Sequence, residues 1–109
     1  MGTRFGDWAE LAAAAEEAPP APGIFQVRAK AGLLRYPRGR SAMLFYGAAP
    51  DLRAGVAVFR SEAVSHWEEP ETALWIRWKP AREPEALLRA YLDLFRSRFG
   101  ALPARNPAR

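Results

Sequence analysis

The chain has 109 residues, half of them hydrophobic, with no cysteine, one histidine and a formal charge of +4. That length suits one domain with a modest core; the missing thiols exclude disulfides and thiolate metal sites, and His66 alone supplies no ligand set for structural zinc. No run of about 18 apolar residues offers a membrane span, and the Ala-rich stretch 12–15, flanked by Glu10, Glu16 and Glu17, is too short for a signal peptide, so a cytoplasmic protein is expected.

The positive balance permits an anionic partner such as DNA or RNA. All but two of the basic residues are Arg, in a chain also rich in Ala and Pro, so composition bias accounts for the charge at least as readily as binding does.

In chain order, Asp7 and Glu10 predict the capped start of a helix over 8–17 that carries Trp8, Leu11 and Ala15 on one face. The Pro-rich stretch 18–23 stops it. Residues 24–30 alternate, with Phe25, Val27 and Ala29 opposite Gln26, Arg28 and Lys30, which predicts a half-buried strand. Ala31–Arg40 reads as an exposed basic hairpin loop bearing Arg35, Arg38 and Arg40, into which Leu33, Leu34 and Tyr36 can extend the strands, and Ser41–Tyr46 as a central strand with both faces covered. Pro50 and Asp51 open a second helix with Leu52, Val56 and Phe59 on its buried side, Gly55 being tolerated within it at a cost of roughly 1 kcal/mol.

Ser61–Thr72 is polar and acidic and predicts loop or a short helical turn; Ala73–Lys79 alternates again, Leu74, Ile76 and Trp78 opposite Trp75, Arg77 and Lys79. Pro84 begins a last helix with the apolar stripe Leu88, Tyr91, Leu92, Phe95 and Phe99 and with i,i+4 pairs of opposite charge among Glu85, Arg89, Asp93 and Arg96. Gly100 and Pro103 end it, and Ala104–Arg109 reads as a disordered tail. The order α-β-β-α-β-α predicts a single α+β domain: helix and connector over 1–21, a core over 22–106, and a small three-stranded antiparallel or mixed sheet flanked by helices.

Four segments together resemble the signature of the GIY-YIG nuclease family: Pro22-Gly23-Ile24-Phe25, Phe45-Tyr46-Gly47, Asp51-Leu52-Arg53, and Glu85-Ala86-Leu87-Leu88 closing on Pro103-Ala104-Arg105-Asn106. They fall in order across residues 22–106. The resemblance implies one-metal phosphodiester hydrolysis, in which tyrosine helps deprotonate water, an arginine stabilises the developing charge and a glutamate holds Mg2+ or Mn2+.

Carried over by position, the resemblance places the first-strand tyrosine on Phe25, the second on Phe45 and a helix tyrosine on Phe59. A basic residue after the glycine falls on Ala48, the arginine on Gly55, and the glutamate near Arg89 or Ala90. Asn106 is kept. Phenylalanine preserves ring volume while deleting the proton-transfer group, and Arg89 would repel a divalent cation. A nuclease-like scaffold without its catalysis is therefore expected, with no cofactor and with electrostatic nucleic-acid binding as its residual activity.

Two alternatives stay open. A divergent endonuclease would draw on Tyr46, Arg53 and Asn106, with Glu85 as metal ligand, although Tyr46 should face away from Phe45 and Arg53 lies about 200° around the helix from Gly55. A protein-interaction or self-association module would use exposed Trp residues and the acidic segment 62–71. For nucleic acid, the candidates are Arg35, Arg38 and Arg40 on the hairpin, and Trp75, Arg77 and Lys79 on one strand face, where the competing reading is a Trp covered by the N-terminal helix. His66, beside Trp67 and Glu68, is expected to be a loop residue.

Overall fold

Strand β2 (Gly23–Ala29) lies at the middle of a four-stranded sheet in the computed structural model, which describes residues 4–107. It pairs with β5 (Met43–Ala49) on one side and β6 (Leu74–Pro80) on the other, and β6 pairs in turn with the two-residue β1 (Ala9–Glu10). Every pairing is antiparallel. A separate hairpin joins β3 (Leu34–Tyr36) to β4 (Gly39–Ser41). The expected α+β class holds, with four strands in the main sheet in place of three.

The alternation of β2 and β6 divides the molecule into two cores. On one face Phe25, Val27 and Ile76 pack with Leu11 and Ala14 of α1 (Leu11–Glu17) and with Leu52 and Val56 of α2 (Leu52–Val58). On the other, Tyr46 and Tyr36 pack with Phe95 of α3 (Pro84–Phe99), and Leu88, Tyr91, Leu92 and Phe99 complete the stripe. Gly100, with φ of 85°, closes α3 in the left-handed region that glycine adopts without strain. The ion pair on α3 joins Asp93 and Arg96 at i,i+3, at 3.3 Å, in place of the expected i,i+4 pairing.

Four local expectations are corrected. First, α1 begins at Leu11, and Asp7 does not cap it: Ala9 and Glu10 pair with Ile76 and Trp75 instead, and Gly6 N–H donates to Trp78 O at 3.1 Å. An open β6 edge is satisfied at the expense of one helical turn. Second, Ser41–Tyr46 marks an edge strand. Its faces are apolar because α2 and α3 cover both sides, a burial pattern that says nothing of which strand is central.

Third, the tail is ordered through Pro107; residues 108–109 lie outside the described part. Pro103 is fully buried, Ala104 N–H donates to the Tyr36 hydroxyl at 3.0 Å, and Arg105 N–H donates to Leu44 O at 2.9 Å on the free edge of β5. Fourth, the strands within the basic loop do not extend β2 and β5 but form a separate two-stranded hairpin, anchored by buried Tyr36, whose hydroxyl donates to Met43 O at 2.6 Å. The acidic stretch 61–72 follows the expectation more closely, with a π turn over Phe59–Ala63 and single 3-10 turns at Val64–His66 and Glu71–Ala73.

Candidate functional site

The last residues of β5 run between α2 and α3 and floor a cavity of about 900 Å³. Phe25, Phe45, Gly47, Gly55, Phe59 and Asn106 all line it, although they come from four separate parts of the chain. Positions that the sequence joins only by resemblance thus meet in one concavity.

The aromatic wall is a continuous cluster of rings in contact. Phe45 lies on Phe59 with ring centroids 5.0 Å apart, Phe25 approaches Phe59 at 5.2 Å, and Trp67 meets Phe59 edge-on at 5.3 Å. Phe25 and Phe59 are buried. Such packing rewards apolar rings and supplies no proton-transfer group. Trp67 backs this wall through Phe45 and Phe59, outside the cavity lining and without any motif to announce it; the guanidinium of Arg105 covers it at 5.7 Å and binds Glu69 at 2.7 Å.

Two glycines set how closely the elements approach. A Cβ on Gly47 would run into the ring of Phe25, and a Cβ on Gly55 would lie 2.5 Å from the Cβ of Ala49. Helix α2 therefore sits on β5 with no room for a side chain at position 55, the position to which the resemblance assigns an arginine. Gly23 is equally confined, between Lys79 O and Leu52.

Polar groups at the rim are mixed in sign. Asp51, Glu85 and Asp93 border the cavity, as do Arg89 and Arg96. Asp51 accepts from Ala54 N–H at 3.1 Å as the cap of α2, and Asp93 is held by Arg96. Glu85 stands exposed in the first turn of α3, where its charge favours the helix dipole. Among the described residues no three carboxylate or histidine side chains come together.

The proposed substitutes for the missing groups are employed elsewhere. Tyr46 points to the α3 side, edge-on to Tyr91 and Phe95, and burial pushes its phenol up to about 12, far from a base working near neutrality. Arg53 donates from Nε to Ala18 O at 2.8 Å and ties α2 to the connector. The Asn106 carboxamide accepts from Tyr46 N–H at 3.0 Å and donates to Tyr46 O at 2.9 Å. His66 is exposed at the end of its 3-10 turn.

On the hairpin, Arg35 and Arg40 face one another across the strands and are exposed. Among the described residues neither forms an ion pair. Arg38 differs: its Nη2 donates to Ser97 O at 2.6 Å and its N–H to Phe99 O at 2.9 Å, so it caps the C-terminus of α3.

The second cationic face is already covered. Arg77 donates to Gln26 Oε1 at 2.7 Å and lies 4.4 Å from the ring centroid of Trp8, against which Arg28 also packs at 4.4 Å. Burial, with Arg28 nearby, lowers the pKa of Arg77. Lys79 donates to the Tyr91 hydroxyl at 3.1 Å, and Trp75 lies beneath Lys30. The cover is the segment before β1 that holds Phe5 and Trp8, whereas a helix was expected from Trp8 onward. All four Trp residues are half-buried rather than exposed, and three of the acidic residues in 62–71 are paired, Glu68 and Glu69 with Arg105 and Glu71 with Arg60.

No protein-family model, curated protein or solved structure matches the chain. No helix among the described residues is long and apolar enough to cross a membrane.

Proposed function

We propose that this chain is a GIY-YIG-like domain that keeps the nuclease scaffold without its chemistry and holds DNA or RNA through charge. The observation that carries the reading is the convergence of Phe25, Phe45, Phe59, Gly55 and Asn106 on one cavity. Three positions that the resemblance assigns to hydroxyls hold phenyl rings packed against one another. The position it assigns to an arginine has no space for one, and the position near its glutamate is Arg89, which also lines the cavity.

Binding is assigned to the hairpin. Like charges placed directly opposite in a strand pair cost stability, and a local rule broken without compensation is characteristic of functional sites. Arg35 and Arg40 form such a pair with no acidic partner among the described residues, as an external polyanion requires.

Incubation with supercoiled plasmid and branched DNA in Mg2+ or Mn2+ tests the catalytic half. The DNA is expected to remain uncut. Nicking that disappears in Glu85→Ala protein would overturn the proposal and favour a divergent endonuclease.

A further inference from the structure

We propose a second binding site at the outer edge of β5, where Ala48 receives an extended apolar segment of another polypeptide as an added strand. Strand residues two apart present their backbone groups in the same direction. Tyr46 turns its N–H and C=O away from β2, since Asn106 takes both, so Ala48 presents its own pair on the same open edge. Among the described residues nothing bonds to either group of Ala48.

The edge is sunk in the cavity already described, and its walls are apolar: Val58 of α2 on one side, Leu88 and Leu92 of α3 on the other. Val58 is half exposed, at 51%. Unpaired edge groups bordered by apolar walls are the recognition surface of strand addition, with main-chain bonds for affinity and side-chain pockets for specificity. A residue opposite Ala48 turns its side chain toward Leu88 and Leu92, and its two neighbours turn theirs toward Val58, because side chains alternate along a strand. The occupant therefore carries three consecutive apolar side chains.

Other occupants fit less well. A second copy would have to bring its own sheet edge between α2 and α3, which flank the strand. A polynucleotide would meet apolar walls and a rim on which the carboxylates of Asp51, Glu85 and Asp93 outnumber the cations of Arg89 and Arg96. A small apolar molecule would leave both backbone groups of Ala48 unpaired. The site uses no group assigned to DNA or RNA binding, so it stands apart from that reading.

The test is a nuclear magnetic resonance titration of the full chain, nitrogen-labelled, with the capped peptide Ser-Ser-Val-Leu-Val-Ser-Ser. The expected result is binding at a Kd of about 1 mM or tighter, with the Ala48 amide among the largest shifts. Methylating the leucine nitrogen of the peptide should weaken binding to the wild-type protein about tenfold or more, since one main-chain bond is lost. Val58→Glu should weaken it comparably, and so should Ala48→Pro, which removes only an outward donor. No Ala48 shift at about 1 mM peptide would overturn the site, as would binding indifferent to N-methylation or self-association of the protein abolished by Ala48→Pro.

Discussion

Asn106 takes the place of a neighbouring strand for Tyr46. Its Oδ1 accepts from Tyr46 N–H at 3.0 Å, and its Nδ2 donates to Tyr46 O at 2.9 Å, across 60 positions of sequence. A carboxamide holds an acceptor and a donor in the arrangement of a peptide group, so one side chain closes the edge where no strand follows. Asn106→Ala should lower unfolding free energy by about 2–3 kcal/mol, because both backbone groups lose partners. Asn106→Asp, which keeps the acceptor alone, should fall between the two in urea denaturation.

The approach of α2 to β5 makes a paired prediction. Gly55→Ala should destabilise by about 1–3 kcal/mol through overpacking against Ala49. Adding Ala49→Gly should recover much of that loss, since it removes the Cβ at 2.5 Å. Equal, additive losses in the double variant would show that the two positions are not in contact.

Returning hydroxyls to the aromatic wall should not return catalysis. Phe45→Tyr should be close to neutral, as Phe45 is only partly buried. Phe25→Tyr should cost about 1–3 kcal/mol in a site with no hydrogen-bond partner ready. The triple variant with Phe59→Tyr should still leave plasmid intact in Mg2+ and Mn2+, because position 55 has no room for the missing arginine.

Alkaline unfolding should be steepened by Tyr46. Burial raises its phenol to about 12 from the ordinary value of 10.0, so the folded state binds more protons than the unfolded state between those values. Its contribution is complete below the unfolded value and is lost as pH rises through that window. Tyr36 is shifted in the same direction, again by burial. Urea midpoints measured across the window should fall less steeply in Tyr46→Phe protein than in the parent.

Much of the fold was legible from periodicity. The alternations at 24–30 and 74–79 define the faces of β2 and β6, and the Leu88–Phe99 stripe defines α3, since each buries one repeating side. Placement around those elements was not legible. Whether Trp8 ends in a helix or lies on Arg77 depends on the open edge of β6, a partner 60 or more residues away. The tail's order rests on a few bonds from Ala104, Arg105 and Asn106 to β5 and the hairpin, which leave no repeating pattern.

The candidate site divides in the same way. Its glycines and phenylalanines stood out through their motif spacing, and they do share a cavity. Trp67 and Arg105 had no such marker. The roles of Arg53 and Arg38 were equally hidden, because a side chain bonded to distant carbonyls resembles any exposed arginine in sequence.

The hairpin arginines should separate stability from binding. Arg38→Ala should lower stability by about 1 kcal/mol through loss of the α3 terminus contacts. Arg35→Ala and Arg40→Ala should leave stability unchanged or slightly higher, because each relieves a repulsion between facing like charges.

The salt dependence of binding tests the central claim most directly. The measurement is the affinity for a fluorescent DNA duplex, titrated across ionic strength with Mg2+ present, for the parent and for the Arg35→Ala, Arg40→Ala double variant. The parent's log affinity should fall linearly with log salt, and the double variant should bind more weakly with a slope shallower by about 2, one counterion per lost phosphate contact. Binding that ignores salt, a double variant indistinguishable from the parent, or duplex cleaved during the titration would contradict the account.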